Sequence, residues 1–168
     1  MIFRLETRDR GYVYMRVSRS NYCNDERAVV EVDSDKFLAL WRRSPQNKNS
    51  GEIGWRAERK YPMAESGFSA GLDSPVPLAH PHIRIHVDKI PIYAPWLFLF
   101  RRVARFEEKT FEFIDFTDGV TRTLWLLQNG VKVFPVECPL SEADQMQRAV
   151  GLPGGRYWIV EELLPFDF

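Results

Sequence analysis

The chain has 168 residues, 45% of them hydrophobic and 14% aromatic, which suits one domain with a packed interior and excludes an intrinsically disordered chain. Lys and Arg total 23 against 23 Asp and Glu; this balance argues against broad nucleic-acid binding through a basic surface and leaves room only for a local basic patch. Cys23 and Cys138 lie far apart and outside any Cys-x-x-Cys pair, so neither a disulfide framework nor a structural zinc site is expected.

Residues 1–10 are charged and lack the apolar centre of a secretory signal, and the most apolar run, residues 93–100, is too short for a membrane span, which needs roughly 20 residues. No membrane insertion and a cytoplasmic setting are the expectation. Residues 11–17 alternate, with Val13, Met15 and Val17 on one side and Tyr12, Tyr14 and Arg16 on the other, which predicts a strand. Residues 28–32 predict a second. Asp33 or Ser34 then caps a helix carrying Phe37, Leu38, Leu40 and Trp41 that ends near Ser44-Pro45.

Residues 45–74 are the least regular, with isolated aromatics Trp55, Tyr61 and Phe68 among Gly, Ser and Pro. They read as a long loop with short ordered pieces, an insertion too poor in apolar residues to form its own core. Residues 81–90 predict a strand with Ile83, Ile85 and Val87 on one face and His82, Arg84, His86 and Asp88 on the other. Pro91 and Pro95 interrupt it, and residues 96–106 predict a short helix exposing Arg101, Arg102 and Arg105, read as a wet face or a partner contact.

The chain is organised around residues 111–137, which read as a βαβ unit. A strand over 111–116 meets the turn Asp118-Gly119; a helix from Thr121 puts Leu124, Leu127 and Gln128 on one face; Gly130 stops it; and a strand follows over 131–136. A crossover of this length predicts parallel strands, with the turn at the carboxyl end of a strand and the amino end of a helix. Free N–H groups and the helix dipole there favour an anion, and Arg122 adds a guanidinium. The plainer reading is a tight turn in which Asp118 or Thr121 caps the helix and Arg122 pairs with an acidic neighbour. Farther on, Ser141 is expected to cap a helix through Val150 with Asp144 in the capping-box position, Gly151 to end it, and residues 157–160 to form a last short strand.

The string Phe116-Thr117-Asp118-Gly119-Val120-Thr121-Arg122-Thr123-Leu124, with Asn129-Gly130 and Phe134-Pro135-Val136 behind it, resembles the signature of the ParB/sulfiredoxin-like fold. More narrowly it resembles the plasmid fertility inhibition factor family. The resemblance implies a single α/β (α+β) domain with a mixed sheet, its core at about residues 77–151 and an amino-terminal elaboration over residues 1–76. It further implies interference with conjugative DNA transfer, with a conjugation-system protein or DNA as partner and with nucleotide binding and ATPase or DNase activity at the turn. The site it implies is Asp118, Gly119, Val120, Thr121 and Arg122, holding the phosphates of ATP with Mg²⁺; the amides of residues 119–121 take the phosphate, Arg122 clamps it, and Asp118 orients a metal-bound water. Gly119 and Arg122 fit the Gly-x-His-Arg turn of such proteins, but Thr121 stands where His is usual, and Thr is no acid or base near neutral pH. Val120 takes the place of the reactive cysteine of sulfiredoxin, so that chemistry is not expected. The alternative is a catalytically inactive binding module, such as an inhibitor or immunity protein. His80, His82 and His86 share a strand face; His82 and His86 are about 13 Å apart along an extended strand, too far for one zinc ion, so the face reads as solvated or pocket-lining.

Overall fold

The computed structural model describes residues 1–17, 26–45, 59–93 and 103–164, with the side chain of residue 104 left out. Cys23, residues 46–58 with Trp55, and residues 94–102 with Arg101 and Arg102 lie outside the described residues. Strand β1 (Ile2–Glu6) pairs antiparallel with β2 (Tyr12–Arg16), and Phe3 and Leu5 of the first join Val13 and Met15 of the second inside. The sequence reading missed β1 because its outward residues, Ile2, Arg4 and Glu6, make the opening look merely charged. A two-residue strand β4 (Val76–Pro77) adds parallel to β2, which makes this sheet mixed.

Strand β3 (Arg27–Asp33) is central to a second sheet, between β7 (Val133–Pro139) and β8 (Trp158–Ile159), and both pairings are antiparallel. Its continuous apolar run Ala28-Val29-Val30 suits a strand covered on both faces. The third sheet is a ribbon of two long strands, β5 (His80–Tyr93) and β6 (Val103–Asp118), paired antiparallel. Residues 103–106 are therefore strand, not helix: Arg105 pairs with Ile92, and β5 runs on through Pro91. Pro91 keeps its place because a two-stranded ribbon leaves each strand an unpaired edge, where a missing N–H costs nothing.

Helix α1 (Ser34–Trp41) begins at Asp33, whose carboxylate accepts from the N–H of Asp35 and of Lys36 at 3.0 Å each. Its Phe37 and Trp41 meet Phe116 edge-on at 5.9 and 5.0 Å. Within residues 45–74, expected as a long loop with short ordered pieces, helix α2 (Tyr61–Ser69) is an ordered piece: Pro62 sits in its first turn, and Ala64 and Phe68 face inward. Helix α3 (Val120–Gln128) follows the Asp118-Gly119 turn, and Gly130 leaves it at φ 72°. Helix α4 (Leu140–Val150) starts one residue before Ser141 and has no side-chain cap, so the expected capping box is not formed. A single turn, α5 (Val160–Leu163), ends the described chain.

The expected parallel pairing across the turn is also corrected. Among the described residues β6 pairs with β5 and β7 with β3, while the backbone link between the ribbon and β7 is made at residue 79, where Ala79 bridges Val136 in parallel and accepts the N–H of Glu137 at 2.9 Å. One hydrophobic cluster joins Met15, Val30, Phe37, Ile114, Trp125, Phe134 and Met146, and so draws on both halves of the chain.

Candidate functional site

Gly119 carries the turn from β6 into α3 at φ 94°, a conformation only glycine adopts without strain. It is also pressed against Ala79, the residue just before β5: a Cβ built on it would stand 2.5 Å from Ala79 Cβ and 2.6 Å from Ala79 Cα. This close approach fixes where the helix opens.

No side chain caps that opening. The N–H of Gly119 favours the charged form of the Asp118 carboxyl, while those of Val120, Thr121 and Arg122 have no acceptor among the described residues, as the first turn of an uncapped helix requires. A pocket of about 440 Å³ lies over them, lined by residues 117–122 and, from α2 and its approach, by Lys60, Met63, Ala64 and Gly67. All five residues of the expected site, Asp118, Gly119, Val120, Thr121 and Arg122, thus share one wall. Lys60 was missed. Nothing in the irregular stretch around it marks a cation that the fold returns to the turn.

The guanidinium of Arg122 is not free, because its Nη2 donates to Asp118 Oδ2 at 2.5 Å. The plainer reading of the turn is therefore realised in part: Arg122 does pair with an acidic neighbour. Its Nε, however, is buried with no partner, so part of the guanidinium's donor capacity remains. Partial burial pushes the Asp118 carboxyl up, but the Arg122 charge and hydrogen bond, the Gly119 N–H and the charge of His80 outweigh it and hold the group below its ordinary range. Asp118 is therefore an anion at neutral pH, balanced by Arg122 and open to solvent on its other side.

The three histidines do not share one environment. A shift in register after His80 turns it inward, where Nε2 lies 3.5 Å from Oε2 of Glu137. Glu137 is buried and held by Arg27, whose Nε donates to Oε1 at 2.7 Å and Nη2 to the main-chain oxygen at 3.2 Å. His82 bonds Thr117 and Glu142. His86 lies outermost, 3.0 Å from Asp88 and tilted against Phe111. No group of three metal-ligating side chains occurs among the described residues. Cys138 is buried on β7 and its thiol is pushed up to about 12, by burial first and by the nearby Glu142 charge next; it is an apolar filler, not a nucleophile.

A mixed α/β chain with this turn at its centre matches one family. The chain belongs to the plasmid fertility inhibition factor family, whose model matches residues 29–151. A curated relative, protein osa of Shigella flexneri, is 38% identical over 79 residues, which cover 47% of this chain and 30% of that protein. The alignment therefore spans less than a third of the relative's length. The crystal structure of Oncogenic Suppression Activity Protein, described as a plasmid fertility inhibition factor, superposes with a TM-score of 0.69 at 25% identity, covering 96% of this chain and 74% of that one. Among the described residues, no helix is long and apolar enough to cross a membrane.

Proposed function

We propose that the protein interferes with conjugative DNA transfer through a nucleotide site at the Asp118 to Arg122 turn, where ATP with Mg²⁺ binds and is hydrolysed, or where DNA is cut. The observation that carries this reading is that Arg122, whose buried Nε has no partner, lines one pocket with Lys60 and with the first turn of a helix that no side chain caps. Buried donors without acceptors are costly, and a phosphate satisfies several at once at the positive end of a helix. Asp118, already ionised and exposed, suits a hydrated Mg²⁺ better than a protein cage does. The expected partner is a conjugation-system protein or DNA, in the cytoplasm.

ATP with Mg²⁺ should raise the melting temperature, and Arg122→Ala should remove that rise. A second reading is a binding module without catalysis. It draws on the Asp118–Arg122 pair, which occupies the expected clamp, and on the exposed Ile85, Val87 and Phe106 of the ribbon. An unchanged melting temperature with every nucleotide tried would decide for it.

A further inference from the structure

Thr117, His82 and Glu142 come from β6, β5 and α4 and form one hydrogen-bonded chain. Nε2 of His82 lies 2.7 Å from Thr117 Oγ1, and Nδ1 lies 3.0 Å from Glu142 Oε1. The other Glu142 oxygen accepts the N–H of Ile83 at 3.0 Å, so the carboxylate is fixed at both ends. An ionised Glu142 accepts only, which places the imidazole proton on Nδ1 and leaves the Nε2 lone pair toward the threonine hydroxyl. Hydroxyl, imidazole, carboxylate is the order in which a hydroxyl becomes a nucleophile.

Exposure runs the same way. The side chains of His82 and Glu142 are 17% and 20% exposed, whereas Thr117 is open to solvent and lines the pocket above the helix amides. A tie between β5 and α4 is complete with His82 and Glu142 alone; the bond onward to Thr117 adds nothing to it. That bond instead brings an oriented base to the wall where the usual His of the turn is replaced by Thr121.

We propose that Thr117 is a phosphoryl acceptor, so that the protein phosphorylates itself from a nucleoside triphosphate; this rests on the nucleotide reading above. Thr117 Oγ1 attacks the γ-phosphorus as its proton passes to His82 Nε2. The imidazolium so formed is stabilised by Glu142, which acts as a positioning residue. The bond from the γ-phosphorus to the bridging oxygen breaks, its electron pair leaves with the nucleoside diphosphate, and His82 returns its proton to solvent. The products are phosphothreonine 117 and the diphosphate.

The test is to incubate the full chain with ATP and Mg²⁺, then to read intact mass and map the modified peptide, with melting temperatures of every variant as a check on folding. One phosphoryl group on Thr117 is expected, absent in Thr117→Ala and carried by the new hydroxyl in Thr117→Ser. His82→Gln should slow labelling about 100-fold, the size of a lost general base, and Glu142→Gln should slow it less while leaving the ATP-dependent rise in melting temperature in place. A rise without label, or a label on another residue, overturns this proposal and leaves the nucleotide site standing. Neither rise nor label overturns both.

Discussion

Gly119 meets two demands at once, a left-handed backbone and a contact with Ala79 too close for any side chain. Gly119→Ala should cost on the order of 2 to 4 kcal/mol, from strain plus overlap with Ala79, read as a fall in denaturant midpoint with unchanged slope. Cys138 makes a prediction of the opposite kind, about a group that must stay neutral. Its folded pKa is about 12 against an ordinary 9.0, so between those values the unfolded chain releases a proton that the folded one keeps. Stability should then fall as pH rises above 9, by up to about 1.4 kcal/mol per pH unit, and Cys138→Ala should flatten that alkaline limb. Iodoacetamide should leave Cys138 unmodified until the chain unfolds.

Among the elements, α2 is the one the sequence hides and the site needs. Its Phe68 stacks on Trp125 of α3 at 4.2 Å and 20°, and its Glu65 accepts the Trp125 indole N–H at 2.7 Å while also pairing with Arg10. These contacts hold the pocket's second wall in place. Phe68→Ala should cost about 3 to 5 kcal/mol, shift tryptophan emission to the red, and weaken the nucleotide response more than its stability loss alone accounts for. The ribbon β5–β6 shows the reverse case. Near its root Ile83 and Ile114 are buried, but Ile85 and Val87, on the same face, are 58% and 45% exposed. Alternation reports the pleat faithfully; it carries no sign of where the underlying core ends.

Across the whole molecule, what was legible followed from short-range physics. The strand at residues 11–17, the Asp33 cap, the helix opening at Gly119 and its stop at Gly130 are each written within a few residues of themselves. The expected parallel pair across the turn failed because pairing is decided by distant partners: β3, more than 100 residues before β7 in the chain, takes the edge that β6 was expected to fill. Residues 96–106 read as helix because arginines spaced among apolar side chains fit a 3.6-residue period, while residues 103–106 are drawn into strand by pairing with β5. Asp118 to Arg122 line one pocket because they are neighbours in a single turn, whereas the approach of Lys60 and the bond from His82 to Thr117 depend on α2 and β5 folding back, which no local pattern records. One consequence of the Ala79 contact reaches past the turn. Because Ala79 touches Gly119 on one side and is bonded to Val136 and Glu137 on the other, it acts as the thin shim between the pocket at the turn and the strand bearing the buried carboxylate. A bulkier residue there, as in Ala79→Leu, would wedge the two apart, so that a chain still folded should lose the ATP-dependent rise in melting temperature that the proposed site predicts.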